Sequence, residues 1–338
     1  MEGGMNKQEL IVVTGAGGFI GGHLLAELKS QGFTHLRGVD IKPLDLWFQR
    51  HPDVDNHSLD LKDLAACRQV AKGASQVFNF ACDMGGMGFI ETHKAECMLS
   101  VLINTHMLMA SREAGVSRYF YSSSACVYAA DKQLDTRVTA LKEPDAYPAM
   151  PEDGYGWEKL FSERMCRHFM EDYKLPTRVV RFHNVYGPWG TYDGGREKAP
   201  AAISRKVIAA KLAGASEIEI WGDGEQTRSF MFIEDALKGV QAVMASDILE
   251  PINLGSAELV SVNQLVDIVE EIAGIKLKRR YNLDAPKGVR GRNSDNTLIR
   301  KYLGWEPSTR LKDGMARTYE WIYRMMTSGE DSSRFRHF

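Results

Sequence analysis

The chain lacks any cysteine spacing on which a covalent or metal framework could be built. Its five cysteines, Cys67, Cys82, Cys97, Cys126 and Cys166, are odd in number and scattered, with no CxxC pair and no Cys/His group at zinc-ligand spacing. This excludes a disulfide scaffold, gives no reason to expect a metal, and points to free thiols in a reducing compartment. Charge of one sign is also missing: 42 Lys and Arg stand against 44 Asp and Glu, a net −2. No global field draws such a chain to nucleic acid or to an anionic membrane, although a local basic site for a small phosphate stays open. No apolar run approaches the roughly 20 residues that span a bilayer. The opening MEGGMNKQEL has no apolar leader segment. Internal repeats and low-complexity tracts are absent. The expectation is a soluble cytoplasmic protein with neither membrane nor nucleic acid as partner.

What is present is an ordinary globular composition, 44% hydrophobic and 25% charged over 338 residues, enough for about two domains. The first half alternates short β-branched or aromatic runs with amphipathic stretches. Strands are expected at Leu10–Thr14, His35–Asp40, Gln76–Phe80, Arg118–Ser122 and Thr177–Phe182. Helices are expected at Phe19–Lys29, Glu91–Ala114 and Gly156–Tyr173. Strands separated by helices predict an α/β fold, a Rossmann-type doubly wound parallel sheet with right-handed crossovers. After Asn184 the texture changes. Glycine-rich loops are followed by helix patterns at Ala201–Ala213, Glu234–Ala245 and Val262–Ala273, with short strands near Ile218–Trp221 and Ile252–Leu254. We therefore expect a dinucleotide-binding domain over 1–183 and a smaller C-terminal α/β substrate lobe over 184–327, with some segments returning to the first domain. A flexible tail is expected over 328–338.

Gly15, Gly18 and Gly21 form GxxGxxG between the first strand and the first helix. The first glycine permits the tight turn, the second lets the backbone approach a pyrophosphate, and the third lets helix and strand pack. Gly17, Phe19 and Ile20 belong to the same turn. A glycine turn before a helix is weak evidence by itself. Asp40, ending the second strand, strengthens it as an acid placed to bind ribose hydroxyls, and its charge disfavours a 2′-phosphate, so the expected cofactor is NAD. Asp60 is a candidate for the adenine end, or equally a helix-capping acid.

Tyr155 and Lys159 have YxxxK spacing, which puts phenol and ammonium on one helix face. Lysine there can lower the phenol pKa and bind the ribose, and a tyrosinate can take a proton from an alcohol. The pair follows the serine cluster Ser122–Ser124. Glycine turn, serine and YxxxK in this order resemble the extended short-chain dehydrogenase/reductase family. The segments Asp83–Ile90, Ser123–Tyr128, Arg181–Pro188, Gly194–Ala202, Trp221–Phe230 and Gly288–Asn296 resemble, more narrowly, the GDP-mannose 3,5-epimerase branch, from about Ile11 to about Met326. Ala129 stands where the plant members carry proline, and the stretch Ile203–Ile220 is longer than theirs.

The resemblance implies an isomerase with tightly bound NAD that converts GDP-mannose to GDP-L-galactose, with GDP-L-gulose where carbon 5 alone inverts. It implies Ser124, Tyr155 and Lys159 for the redox step, and Cys126 as base with Lys198 as acid. A buried inert thiol and a solvated loop charge are the plainer readings of those two. Ser124, Ala125, Cys126, Asn184, Glu197, Lys198 and Ala199 would contact the substrate. Lys206, Gln226, Thr227, Arg228 and Arg292 would hold the diphosphate and guanosine. Gly85 and Gly86 would let the backbone approach the sugar, with Met84 and Met87 as wall or core. Asn184 also fits an Asx turn, and Arg290 and Arg292 also fit a surface loop. Homodimerisation through Glu91–Ala114 and Gly156–Tyr173 is implied as well. A nucleotide-sugar 4-epimerase, a 4,6-dehydratase and a non-catalytic NAD-sensing protein are the alternatives. Related dehydratases carry an acid where Cys126 stands, and the sensor has no need of an intact Ser124–Tyr155–Lys159 set.

Overall fold

The computed structural model describes residues 7–286, 288–329 and 331–335. The leader reading for residues 1–6, and the tail reading for residues 330 and 336–338, lie outside them. The first half runs β1 (Leu10–Thr14), α1 (Phe19–Ser30), β2 (Leu36–Asp40), β3 (Asp55–Ser58), α2 (Leu64–Ala71), β4 (Ala74–Asn79), α3 (Met87–Thr92), α4 (Lys94–Glu113), β5 (Arg118–Ser124), α5 (Tyr155–Tyr173) and β6 (Thr177–Phe182). There follow β7 (Val185–Tyr186), α6 (Ala199–Ala213), β8 (Glu217–Trp221), β9 (Thr227–Ser229), β10 (Met231–Phe232), α7 (Ile233–Ala245) and β11 (Ile252–Leu254). The last are β12 (Leu259–Ser261), α8 (Val262–Ala273), β13 (Lys278–Asn282), β14 (Gly291–Arg292), α9 (Thr297–Leu303) and α10 (Leu311–Thr327).

The main sheet has seven parallel strands in the order β11-β6-β5-β4-β1-β2-β3. This is the doubly wound order, with its switch point between β1 and β4. Alternation along the strands explains the two covered faces. Ile11, Val13, Phe78, Phe120 and Val180 join one buried cluster with Leu24 and Leu28 of α1. Val12, Val77, Tyr119, Tyr121 and Val179 join the opposite cluster with Met107 and Leu108 of α4. β11 comes from the second half of the chain yet pairs with β6. The three smaller sheets, β10-β7, β12-β9-β14 and β13-β8, pack with α6, α8 and α10. No helix among the described residues is long and apolar enough to cross a membrane.

Three expectations need correction. The helix expected over Glu91–Ala114 is two helices, broken where His93 leaves helical geometry (φ −123°, ψ 46°) and stacks on Phe89 at 4.3 Å. Asp63, not Asp60, caps α2, accepting from the Ala65 N–H at 2.9 Å. The tail is anchored as far as Phe335, whose buried ring sits 5.0 Å from Trp321 and 5.2 Å from Phe48. At Ala129 the backbone N–H donates to the Asp145 carbonyl at 3.3 Å, a bond that proline lacks.

His183, fully buried after β6, meets the Asn253 side-chain amide oxygen Oδ1 with Nε2 at 3.1 Å, while Nδ1 has no partner among the described residues. Burial pushes its pKa down to about 3, with Arg292 and Arg181 in the same direction and Asn253 opposing. The ring is neutral in the fold but protonates when unfolded, so its contribution is complete above about pH 6.5 and is lost as pH falls toward 3. Lowering the pH to 5 should remove about 2 kcal/mol through this group. Denaturant melts at pH 7.5 and 5 check it. The drop should shrink in His183→Gln, and equal drops in both proteins contradict the assignment.

Candidate active site

The turn after β1 is shaped for close approach. Gly15 has φ +67°, and a Cβ on Gly21 would lie 2.3 Å from the Gly15 carbonyl oxygen, so α1 can start there only on glycine. Gly18 caps α1 with no side-chain hydrogen bond, which leaves the helix N–H groups directed at the cavity. Asp40 is fixed by the Gly17 N–H at 3.0 Å and the Lys42 N–H at 3.1 Å. A cavity of about 480 Å³ opens at the switch point, lined by Gly15, Gly18, Phe19, Ile20, Gly21, Asp40 and Asp60 at one end and by Ser124, Tyr155 and Lys198 at the other. An uncapped helix end, a glycine cradle and an anchored carboxylate fit a dinucleotide with free ribose hydroxyls. Gly17 acts through its N–H on Asp40, and Lys159 lies beneath the cavity, 1% exposed.

Ser124 ends β5, and Tyr155 starts α5. The Ser124 hydroxyl is hydrogen-bonded to the phenol, which lowers its pKa, but burial and the neighbouring Cys82, Cys126 and Glu158 hold that pKa well above the ordinary value. Lys159 was expected to lower it. Instead its ammonium lies 3.5 Å from Glu158 Oε2, over the Tyr121 ring at 4.9 Å and the Tyr155 ring at 5.4 Å. Burial works against the Lys159 charge, but Cys82 and Glu158 keep its pKa raised. Glu158 was not singled out from the sequence. Its Oε1 accepts from Tyr121 and Ser162 at 3.0 and 2.8 Å, so it neutralises much of the lysine that YxxxK aligns with the phenol.

Cys126 lies in the turn after β5, its sulfur 3.5 Å from Arg292 Nη1. Burial, then Glu152, pushes the thiol up to about 11, against Arg292 and Ser124. Lys198 caps α6 and faces Cys126, Cys82 and Arg292. Burial lowers its pKa, with Arg292 in the same direction and the two cysteines opposing. The expected thiolate and ammonium are therefore a thiol and a weakened cation in the free protein. Glu152, three residues before Tyr155, was not foreseen. It pairs with Arg292, whose Nε donates to Gln133 Oε1 at 2.7 Å.

The other expected contacts divide. Arg292 is 5% exposed and is no surface-loop residue, whereas Arg290 forms a half-exposed pair with Asp223 at 3.0 Å. Arg228 donates to the Thr227 and Val289 carbonyls, and burial with Arg292 nearby lowers its pKa to about 10. Arg292 is buried and Arg228 half-buried, and the Glu152 carboxylate pairs with the former. Gln226 donates to the Trp221 carbonyl at 2.9 Å and leaves Oε1 buried without a partner. Thr227 bonds the Thr136 carbonyl at 2.6 Å. Asn184 donates to the Ser229 carbonyl at 3.1 Å, Ala125 is buried, and Ala199 begins α6. Glu197 accepts from the Gly195 N–H at 2.7 Å.

Lys206, like Cys126, Arg228 and Arg292, is not among the cavity walls. Its ammonium donates to the Glu219 carbonyl at 2.9 Å and sits over the Trp221 ring, so its hydrogen bonds go to the fold. Gly85 and Gly86 are closely packed: added Cβ atoms would meet Phe89 Cβ at 2.7 Å and the Glu197 carbonyl oxygen at 2.5 Å. Met84 lines the cavity, and Met87 packs on Gly288. Among the described residues no group of three His, Cys, Asp or Glu converges to hold a metal.

Residues 11–255 match the model of the NAD dependent epimerase/dehydratase family. The chain is 47% identical over 313 residues to GDP-mannose 3,5-epimerase 1 of Oryza sativa subsp. japonica, covering 92% of this chain and 81% of that one. It is 45% identical to GDP-mannose 3,5-epimerase of Arabidopsis thaliana at the same coverage. The fold matches UDP-glucose 4-epimerase from Thermotoga maritima with TM-score 0.83 at 24% identity, over 94% of this chain and 99% of that one. It also matches MoeE5 in complex with UDP-glucose and NAD, with TM-score 0.75 at 29% identity, over 94% and 100%.

Proposed function

The chain belongs to the NAD dependent epimerase/dehydratase family, and on that footing we propose that it inverts carbons 3 and 5 of GDP-mannose, giving GDP-L-galactose and, after inversion at carbon 5 alone, GDP-L-gulose. The observation that carries this reading is the pair Cys126 and Arg292, 3.5 Å apart, near Lys198, which lines the dinucleotide cavity together with Tyr155 and Ser124. The curated relatives that share 45–47% of its residues are GDP-mannose 3,5-epimerases.

Protons on an unactivated sugar carbon are too weakly acidic to remove. A ketone at carbon 4 acidifies both neighbours at once through an enolate, so one transient oxidation opens two inversions. NAD, when bound, would supply a reversible two-electron acceptor for carbon 4, so that no net redox change results. The glycine turn and the α1 N-terminus would hold its pyrophosphate, and Asp40 a ribose. Tyr155, hydrogen-bonded to Ser124, takes the carbon-4 hydroxyl proton and returns it. Cys126 and Lys198 work on opposite faces of the ring, one removing and one delivering the proton at each inverted carbon. Lys198 and Arg292 also stabilise the enolate charge. Arg228 and Arg292 take the diphosphate. Product separation after incubation with GDP-mannose tests the reading. New GDP-hexoses with the galacto and gulo configurations are expected, whereas recovery of GDP-mannose alone contradicts it.

The active form is a homodimer, and the cytoplasm suits its five free cysteines. Met98, Leu99 and Leu102 on α4 and Trp157 and Phe161 on α5 are each at least 37% exposed on neighbouring helices, forming an apolar face that a second copy can cover. Light scattering should give twice the 37.9 kDa chain mass, falling to one chain in Leu99→Glu/Phe161→Glu. A wild-type monomer contradicts the dimer.

A further inference from the structure

Two walls of the dinucleotide cavity come from far apart in the chain. One is the segment after β4, with Asp83 and Met84, and the other is the loop before α6, with Arg196. Asp83 and Arg196 are 113 positions apart, yet they meet. Arg196 Nη1 donates to Asp83 Oδ1 at 2.9 Å and to the Met84 carbonyl at 3.3 Å. The Arg196 carbonyl accepts from the Gly86 N–H at 3.0 Å. Its guanidinium lies over the Phe89 ring, 3.8 Å from the centre. Each end of this junction is fixed to its own side. The Asp83 N–H donates to Ser100 Oγ of α4 at 2.8 Å. The loop before α6 turns at Gly194 and Gly195, with φ +97° and +95°, and is held to that helix by Arg205, whose Nε donates to the Tyr192 carbonyl at 3.0 Å. A partly exposed ion pair adds little to overall stability. Between two anchored walls of one cleft, the same pair can set a rate.

We propose that Asp83 and Arg196 form a latch between the two walls, and that NAD enters and leaves the cavity only when this pair opens. All the contacts of the latch are made within the chain. It therefore has to open for capture as for release, and it slows both by the same factor. A guanidinium bound to the phosphates of the dinucleotide would act differently: its loss would speed release and leave capture no faster. Asp83 separates the two cases further. As half of a latch its loss frees the cofactor, whereas as a competitor for a phosphate-binding arginine its loss would retain it.

The test compares the full chain with Asp83→Asn, Arg196→Gln and the double variant. Release is followed from the NAD-loaded proteins with excess alcohol dehydrogenase and ethanol, which reduce only NAD that has left the cavity. Capture is followed by stopped-flow quenching of tryptophan fluorescence when NAD is added back. Each single variant should speed both release and capture by about three- to tenfold, the effect of losing a partly exposed ion pair with or without its ring contact, and should leave Kd nearly unchanged. The double variant should be no faster than the faster single one, because both changes break the same bond. Arg196→Lys keeps the charge but not the planar fork, so it should fall between wild type and Arg196→Gln, and it serves if the latter does not fold. Faster release without faster capture, additive effects in the double variant, or wild-type rates in folded variants each overturn the latch. No sugar enters these assays, so they stand apart from failure of the epimerase reading, which would show as intact GDP-mannose in wild type.

Discussion

Replacing Cys126 with alanine should slow hydrogen exchange at carbons 3 and 5 by about two to four orders of magnitude, the range that a positioned acid or base supplies. No neighbour can take over. Glu152 is clamped by Arg292, and Tyr155 and Lys198 carry other steps in the proposed mechanism. The fold should survive, because the side chain is small, sits in a turn, and loses only a sulfur contact to Arg292. Oxidation at carbon 4 needs neither the thiol nor its proton. The variant should therefore still show reduced-nicotinamide absorbance when GDP-mannose is added, while exchange stops. Exchange at the wild-type rate would remove Cys126 from the chemistry.

Tyr155→Phe should fail one step earlier. It deletes the hydroxyl proposed to take the carbon-4 proton and leaves the ring in its buried place at the start of α5. Without the ketone the neighbouring protons stay unacidified, so absorbance change and exchange should both fall by about two to four orders of magnitude. NAD should remain bound, since the glycine turn and Asp40 are untouched. The two variants separate oxidation from inversion: Cys126→Ala keeps the first and loses the second, and Tyr155→Phe loses both. Exchange persisting in Tyr155→Phe would mean that some other group drives the oxidation.

The parts of the molecule that were legible in the sequence are those whose physics is local. β1, the glycine turn, α1 and the aspartate ending β2 follow from an apolar run, glycine spacing and one acid within the first 40 residues. β3 was missed because Asp55–Ser58 has no apolar alternation; it is an edge strand held by pairing with β2 and by the Arg37–Asp55 bond. α4 was read as continuous with α3 because nothing in the apolar spacing marks the break at His93. The buried anchor of the tail, Phe335, lies in a polar stretch with no periodicity. In the site, Ser124 and Tyr155 were recognisable from motif order. The Glu152–Arg292 clamp joins residues 140 positions apart and leaves no local signature.

Conversion of GDP-mannose in deuterated water tests the central claim most directly. Nuclear magnetic resonance of the product and the recovered sugar should show deuterium at carbons 3 and 5, where protons pass through exchangeable side chains. Carbon 4 should keep its original hydrogen, because that hydrogen leaves and returns without meeting solvent. Turnover that labels neither carbon 3 nor carbon 5, or that places deuterium at carbon 4, would contradict the mechanism.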